Sequence, residues 1–210
     1  MSLEKILKKI DEELKERESI KDELYDAMRK TTRLSKQAIF LAHKDQIKRG
    51  KKLLKEAKKL FGRLDEVPST NGELIYSGIV AAAFQEYAEA QIFLGLIENE
   101  RFVSPPQIDV PSTSYLLGLA DVVGELRRRV LTSLRGGDVE TSEKHLMTME
   151  LIFNELMNMD TGLRIPEMRR KSDIARRIIE ITRGDVVIEI RRTSLKKSIM
   201  ELERRLKTEK

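Results

Sequence analysis

The chain of 210 residues contains no cysteine and no tryptophan. Without thiols it can form neither a disulfide nor a thiolate-ligated zinc or iron-sulfur site. Two histidines are too few for a His-dominated metal site, so any metal ion would sit among carboxylates. Five prolines and eleven glycines are few turn formers for this length, which argues against an all-β fold and for long helices. Long apolar runs are missing too. The longest, Gly78 to Phe84, falls far short of a membrane span, and the charged start MSLEKILKK lacks a signal-peptide core. A soluble, cytoplasmic protein with no membrane association is the expectation.

What is abundant is charge. Charged residues make up 36% of the chain and apolar ones 40%, with 40 Lys and Arg against 35 Asp and Glu, a net +5. That excess is too small for a histone-like binder but suits local basic patches facing an anionic partner.

The apolar spacing is helical almost throughout. From Met1 to about Gly50, positions Ile20, Leu24, Ala27, Thr31, Leu34, Ala38 and Leu41 alternate steps of four and three, a seam for packing on other helices. Gly50 is the expected break. A second helix carrying Leu53, Leu54, Ala57, Leu60, Phe61 and Leu64 ends before Pro68, and Val67 to Gly72 reads as a loop. From about Glu73 to Glu98 the chain is apolar on nearly every side, the mark of a central helix. Pro105, Pro106 and Pro111 keep the next segment extended until Ser112 or Thr113 caps a helix through YLLGLADVVGELRRRVLTSL. Gly136 and Gly137 turn the chain, Asp138 caps a fifth helix to about Met159, and Gly162 to Pro166 separates it from the last segment. In that segment VVIEI, Val186 to Ile190, resembles a strand, but Ile174, Ile178, Ile181, Asp185 and Ile188 favour one long helix through Gly184, followed by a frayed tail, TEK. The expected fold is all-α, a single domain over residues 1–210 forming a bundle of six or seven helices.

Four carboxylates interrupt the most apolar helices. Glu86 and Glu89 lie three apart in FQEYAEA, and Asp121 and Glu125 lie four apart in LGLADVVGEL, so each pair occupies one helix face. A carboxylate in such surroundings needs a cation, a hydrogen-bond donor or a metal. If the two helices pack as antiparallel neighbours, the four acids can converge on an oxygen-lined site for Mg2+ or Mn2+ able to activate water against a phosphodiester. The structural alternative is a core ion network, with Arg127 to Arg129 or Arg169 to Lys171 pairing with Glu86 and Glu89. No Glu-x-x-His tetrapeptide occurs, which argues against di-iron chemistry.

A basic row accompanies the seam of the first helix. Arg29, Arg33 and Lys36 lie four and three apart beside the apolar positions, as phosphate ligands would. A solvated flank is the plainer reading of any one of them. Aromatics are 5% of the chain and fall in no nucleic-acid stacking motif, so contacts to a nucleic acid should be mostly to its backbone and loosely sequence-selective.

The runs FQEYAEAQIFLGLI, YLLGLADVVGELRRRVL and LRIPEMRRKSDIARRIIE, within residues 29–183, resemble the translin and Trax family, and most closely an archaeal, Trax-like, nuclease-type member. The resemblance implies an all-α chain that assembles into a closed octameric shell and takes single-stranded RNA or DNA as ligand. It also implies a metal-dependent ribonuclease centre, in which Glu86 and Glu89 match the first two acids, Asp121 the Asp of LLG-x-x-D and Glu125 the Glu of GEL. The leading expectation is therefore a magnesium-dependent endoribonuclease for single-stranded RNA within a homo-octamer, with manganese as the alternative ion. A non-catalytic binder of single-stranded RNA or DNA stands second. An all-α nucleoside-triphosphate pyrophosphohydrolase, which shares a Glu-x-x-Glu helix but spaces its second acidic motif differently, stands third.

Overall fold

A computed structural model describes residues 2–160 and 164–208, so the expected breaker Gly162 and the last two residues of the tail lie outside the described residues. Among the described residues there is no strand, and no helix is long and apolar enough to cross a membrane. The chain divides into two compact units, Met1–Gly118 and Leu119–Lys210.

In the first unit, α1 (Leu3–His43) packs on α2 (Ile47–Leu60) and on α3 (Gly78–Asn99). The α1 seam is the one that the spacing gives: Leu24, Thr31, Leu34 and Ala38 are buried. Thr31 and Ser35 can lie inside because each hydroxyl donates to a carbonyl one turn back, on Ala27 and Thr31, at 3.0 Å. The break falls earlier than expected. Lys44 to Gln46 end α1, with Asp45 in the left-handed region (φ 57°), and Gly50 lies inside α2. Its role is close approach, since a Cβ there would stand 3.0 Å from Leu94 Cδ2 and 3.2 Å from the Ala38 carbonyl. A small core of Leu24, Met28, Leu74, Val80 and Ala83 is closed by Phe61, which stacks on Phe84 at 4.2 Å and meets Tyr87 edge-on at 5.3 Å.

The 3-10 turns of Ser69–Tyr76 take in the end of the expected loop, up to Gly72, and the expected start of the central helix, which begins only at Gly78; Pro105–Ile108, expected to be extended, forms a short helix, α4. The proline pair sits where helix starts tolerate it, in the first turn, behind a capping box made by Ser104 and Gln107. The next helix, α5 (Ser112–Arg135), begins in this unit and runs on into the second.

In the second unit Gly136 and Gly137 turn the chain, Gly137 with φ +78°. Asp138 then caps α6 (Val139–Met157), its side chain accepting from the Thr141 amide at 3.0 Å. Hydrogen bonding from the Thr141 side chain, with this amide bond second, holds the Asp138 carboxyl below its ordinary range. The last helix, α7 (Met168–Thr208), packs on α6 and passes through VVIEI and Gly184 without interruption. Its periodicity is as expected but its inward face is not. Ala175, Ile179, Thr182 and Val186 are buried, whereas Ile174, Ile181 and Ile188 are exposed.

Candidate functional site

α3 presents Glu86 and Glu89 because the three-residue step turns both to one side of a helix that is otherwise apolar. Glu89 is buried, at 8% exposure. Glu86 is partly open and receives the Lys36 ammonium at 3.1 Å. One of the three expected phosphate ligands is thus turned toward an expected catalytic acid. Arg29 donates to Asp26 at 3.0 Å, and Arg29, Arg33 and Lys36 are all exposed along α1. These surface pairings hold the side chains only weakly, so an incoming phosphate could compete for them.

The reason for the glycine of LLGLAD is visible at Gly118. A Cβ there would lie 2.7 Å from the Gln85 carbonyl oxygen and 2.8 Å from the Glu89 nitrogen. The backbone of α5 therefore meets the backbone of α3 at the turn that carries both glutamates, an approach only glycine permits. Sequence reasoning passed over this residue, although a glycine inside a helix pattern is the signal for such a contact. Asp121 and Glu125 follow Gly118 by three and seven residues and share its face of α5.

In the second unit, Asp121 accepts a hydrogen bond from the Lys171 ammonium. The lysine side chain is 14% exposed and the aspartate 29%. A cavity of about 210 Å³ opens beside them, lined among others by Gly124, Arg170, Ile174 and Ile178. Two of the cations expected to serve a core ion network have partners within the second unit. Lys171 serves Asp121. Arg127 turns to α7, donating to Thr182 Oγ1 at 2.6 Å and lying 3.6 Å from Asp185. Thr182 in turn donates to the Ile178 carbonyl at 2.6 Å.

The four acids offer only carboxylate oxygens, a donor set that fits Mg2+ or Mn2+ and suits no softer metal. Among the described residues, no group of three or more His, Asp or Glu is gathered closely enough to hold a metal ion. Cationic side chains provide neutralisation at Glu86 and Asp121. At both acids a metal ion would therefore compete with an ammonium group.

Two further features of the first unit were not anticipated. Phe40, 48% exposed, carries the Lys44 ammonium 4.3 Å from its ring centre and borders a groove of about 450 Å³ with Gln37, Arg49 and Lys52. On the opposite flank of α2, Lys51, Lys55 and Lys58 line a cavity of about 380 Å³ with Tyr87 and Gln91. There Lys51 bonds to Glu98, which keeps that carboxyl below its usual range, and burial raises the Tyr87 phenol. The steps of four and three among these lysines were legible in the sequence as a basic face.

The model of the Translin family matches residues 19–180. An uncharacterized protein of Methanocaldococcus jannaschii, MJ0175, is 30% identical over 192 residues, 90% of this chain and 85% of that protein. Among solved structures, AfC3PO in complex with duplex RNA is 31% identical with a TM-score of 0.71, covering 87% of this chain and 95% of that one. AfC3PO by itself gives 31% and 0.75, with 87% and 96% covered. Apo-NeC3PO, at 24% identity, shares the fold with a TM-score of 0.78, over 87% of this chain and 96% of that one.

Proposed function

The chain belongs to the translin family, and on that premise we propose that it binds RNA and cleaves single strands as a divalent-metal-dependent endoribonuclease, acting in the cytoplasm within a homo-oligomeric shell, an octamer. The observation that carries the reading is the pair of acidic faces set into the apolar helices α3 and α5, with Gly118 holding the α5 backbone against the turn of Glu86 and Glu89. RNA as ligand is supported by AfC3PO, whose structure with duplex RNA is similar to this chain.

In this reading Glu86, Glu89 and Asp121 hold the ion, and Glu125 serves as a fourth ligand or as the base that orients the attacking water. A bound Mg2+ or Mn2+ would supply Lewis acidity toward the phosphodiester. Lys36 and Lys171 neutralise two of the acids, which lowers the cost of keeping those carboxylates ionised. Arg29 and Arg33 engage backbone phosphates, their planar forks suiting two oxygens each, and Lys36 contributes a point charge beside them.

The ion pairs also favour a second reading, a non-catalytic RNA or single-stranded DNA binder in which the acids are structural. One assay separates the two. Labelled single-stranded RNA, duplex RNA and single-stranded DNA are incubated with the protein in Mg2+, in Mn2+ or in EDTA. Metal-dependent fragments from single-stranded RNA are the expected result. Retention of RNA without fragments in either metal would leave binding and overturn catalysis.

A further inference from the structure

The cavity between α2, the second half of α3 and the segment that carries α4 has no part in RNA cleavage as proposed. Its volume of about 380 Å³ falls among small-molecule sites, roughly 300–1,000 Å³. The two long helices run antiparallel beside it. Gly50 approaches Leu94, and Phe61, just past α2, meets Tyr87, so later residues of α2 stand beside earlier ones of α3. On α2, Lys51, Lys55 and Lys58 follow steps of four and three and line the cavity. Tyr87, Gln91, Leu94 and Glu98 line it from α3 at steps of four, three and four. Glu89 stands two residues past Tyr87, about 200° round the helix, so this is not the face of the buried acid.

The two ends of the cavity differ in charge. At one end Lys51 is bonded to Glu98, the one acid among the lining residues, and the two charges offset each other. Toward Tyr87, Lys55 and Lys58 remain, and among the described residues neither has an acidic partner. Like charges at such steps repel along a helix, and a bound anion relieves that repulsion. Tyr87 itself is 1% exposed. Its hydroxyl oxygen accepts from Gln91 Nε2 at 2.6 Å, while its own proton meets no acceptor among the described residues. A buried phenol ordinarily donates, so an acceptor is wanted here. A buried donor and two ammonium groups on one wall suit an anionic oxygen. The far end is neutral and carries amides. Asn99 donates to Glu98 and Gln107 accepts from Ser104, which leaves a carbonyl on the first and an amino group on the second. With Leu94 and Ile108 buried beneath, that acceptor and donor suit a heterocyclic base rather than further phosphate.

We propose that this cavity binds a nucleoside phosphate of mononucleotide size, its phosphate oxygens on Lys55, Lys58 and the Tyr87 hydroxyl and its base beside Asn99 and Gln107. All of these residues belong to the first unit. The site needs no metal ion and stands whether or not the chain cleaves RNA.

The test is calorimetric titration of the full chain with ADP at low salt in EDTA, which removes any binding through metal at the acids. Pyrophosphate, adenosine and a short single-stranded RNA serve as comparison probes. ADP should bind with a Kd below about 1 mM, and pyrophosphate and adenosine, each meeting one end only, at least about tenfold more weakly. Tyr87→Phe removes only the hydroxyl and should raise the Kd for ADP about three- to tenfold, and Lys55→Met with Lys58→Met about ten- to thirtyfold. Lys59→Met, on α2 but outside the cavity, should leave it unchanged. Thermal melts check each fold, and the exposed lysine pair decides the matter if Tyr87→Phe melts early. No heat with ADP up to about 1 mM overturns the site. So does a Kd that the lysine pair leaves unmoved, or that Lys59→Met raises as much, since binding would then follow general charge. Pyrophosphate as tight as ADP removes the nucleoside and overturns the class of ligand. RNA binding lost with the lysine pair, in a chain that takes no ADP, would assign this face to RNA and overturn the proposal, leaving the RNA reading intact.

Discussion

Asp121→Asn removes one charge from the partly buried ion pair with Lys171. Fully buried pairs cost about 3 to 5 kcal/mol when one partner is lost, and exposed pairs about 0 to 1 kcal/mol. The Lys171 side chain is 14% exposed and that of Asp121 29%, so the pair falls between these limits. The amide of asparagine still accepts a hydrogen bond from Lys171, which lowers the cost further. A loss of about 1 to 3 kcal/mol is therefore expected, a fall in melting temperature of roughly 3 to 10 °C for a chain of this size. The assay is a thermal melt in EDTA on Asp121→Asn, Lys171→Met and the double variant. If the two side chains act as a pair, the double variant should melt well above the value that adding the single losses predicts, with a coupling of about 0.5 to 3 kcal/mol. Catalysis is read separately. Asp121→Asn should abolish cleavage in Mg2+, while Lys171→Met leaves the carboxylate in place and removes one competing ammonium, so half-maximal activation should need no more Mg2+ than in the wild type. Additive single losses would refute the ion pair as an energetic unit, and wild-type cleavage by Asp121→Asn would remove this acid from the reaction.

Arg33→Ala should weaken RNA binding equally for all sequences and reduce the salt dependence by a slope of about 0.7, which titrations at several salt concentrations measure. Gly118→Ala places a methyl group where the Gln85 carbonyl lies 2.7 Å away, so melting should show a loss of about 1 to 3 kcal/mol, with cleavage impaired by displacement of the α3 turn. Gly184→Ala meets nothing within 4 Å in the interior of α7 and should stabilise the chain by about 0.5 to 1 kcal/mol in a denaturant titration. The Asp138 and Glu98 carboxyls are both held below their ordinary values of 3.8 and 4.5. Their contribution is present above those values and is lost as pH falls through the lowered ones. Asp138→Ala should therefore lower the melting temperature by about 2 to 4 °C at pH 7, and the gap should close in melts taken below pH 3.

Helix placement was legible because period and length agree along this chain. The α1 seam, the central α3 and the Asp138 cap each combine a repeated apolar step with a local signal at the end. Where glycine was read as punctuation the reading failed at Gly50, since glycine also serves close packing, and only the three-dimensional neighbour, here Ala38 on α1, distinguishes the two uses. The α7 seam shows a different limit. Two apolar faces lie side by side on that helix, Ala175, Ile179 and Val186 on one and Ile174, Ile181 and Ile188 on the other. Spacing finds both, but it cannot say which faces the unit's own core. The small residue Ala175 and the hydroxyl of Thr182, satisfied by Ile178, mark the inner face, where α6 packs; the wider isoleucine stripe is exposed. The acids followed the same logic. Their presence in apolar helices was evident from the sequence, whereas their cations come from α1 and α7, 50 residues away in each case. No local pattern records such a pairing. On the proposed reading, an ion that binds Glu86 must displace or share the Lys36 ammonium, so its affinity should depend on where that lysine can go. That coupling joins the basic row to the acidic faces: a phosphate that draws Lys36 toward RNA also exposes Glu86 to a cation, and RNA should therefore strengthen metal binding.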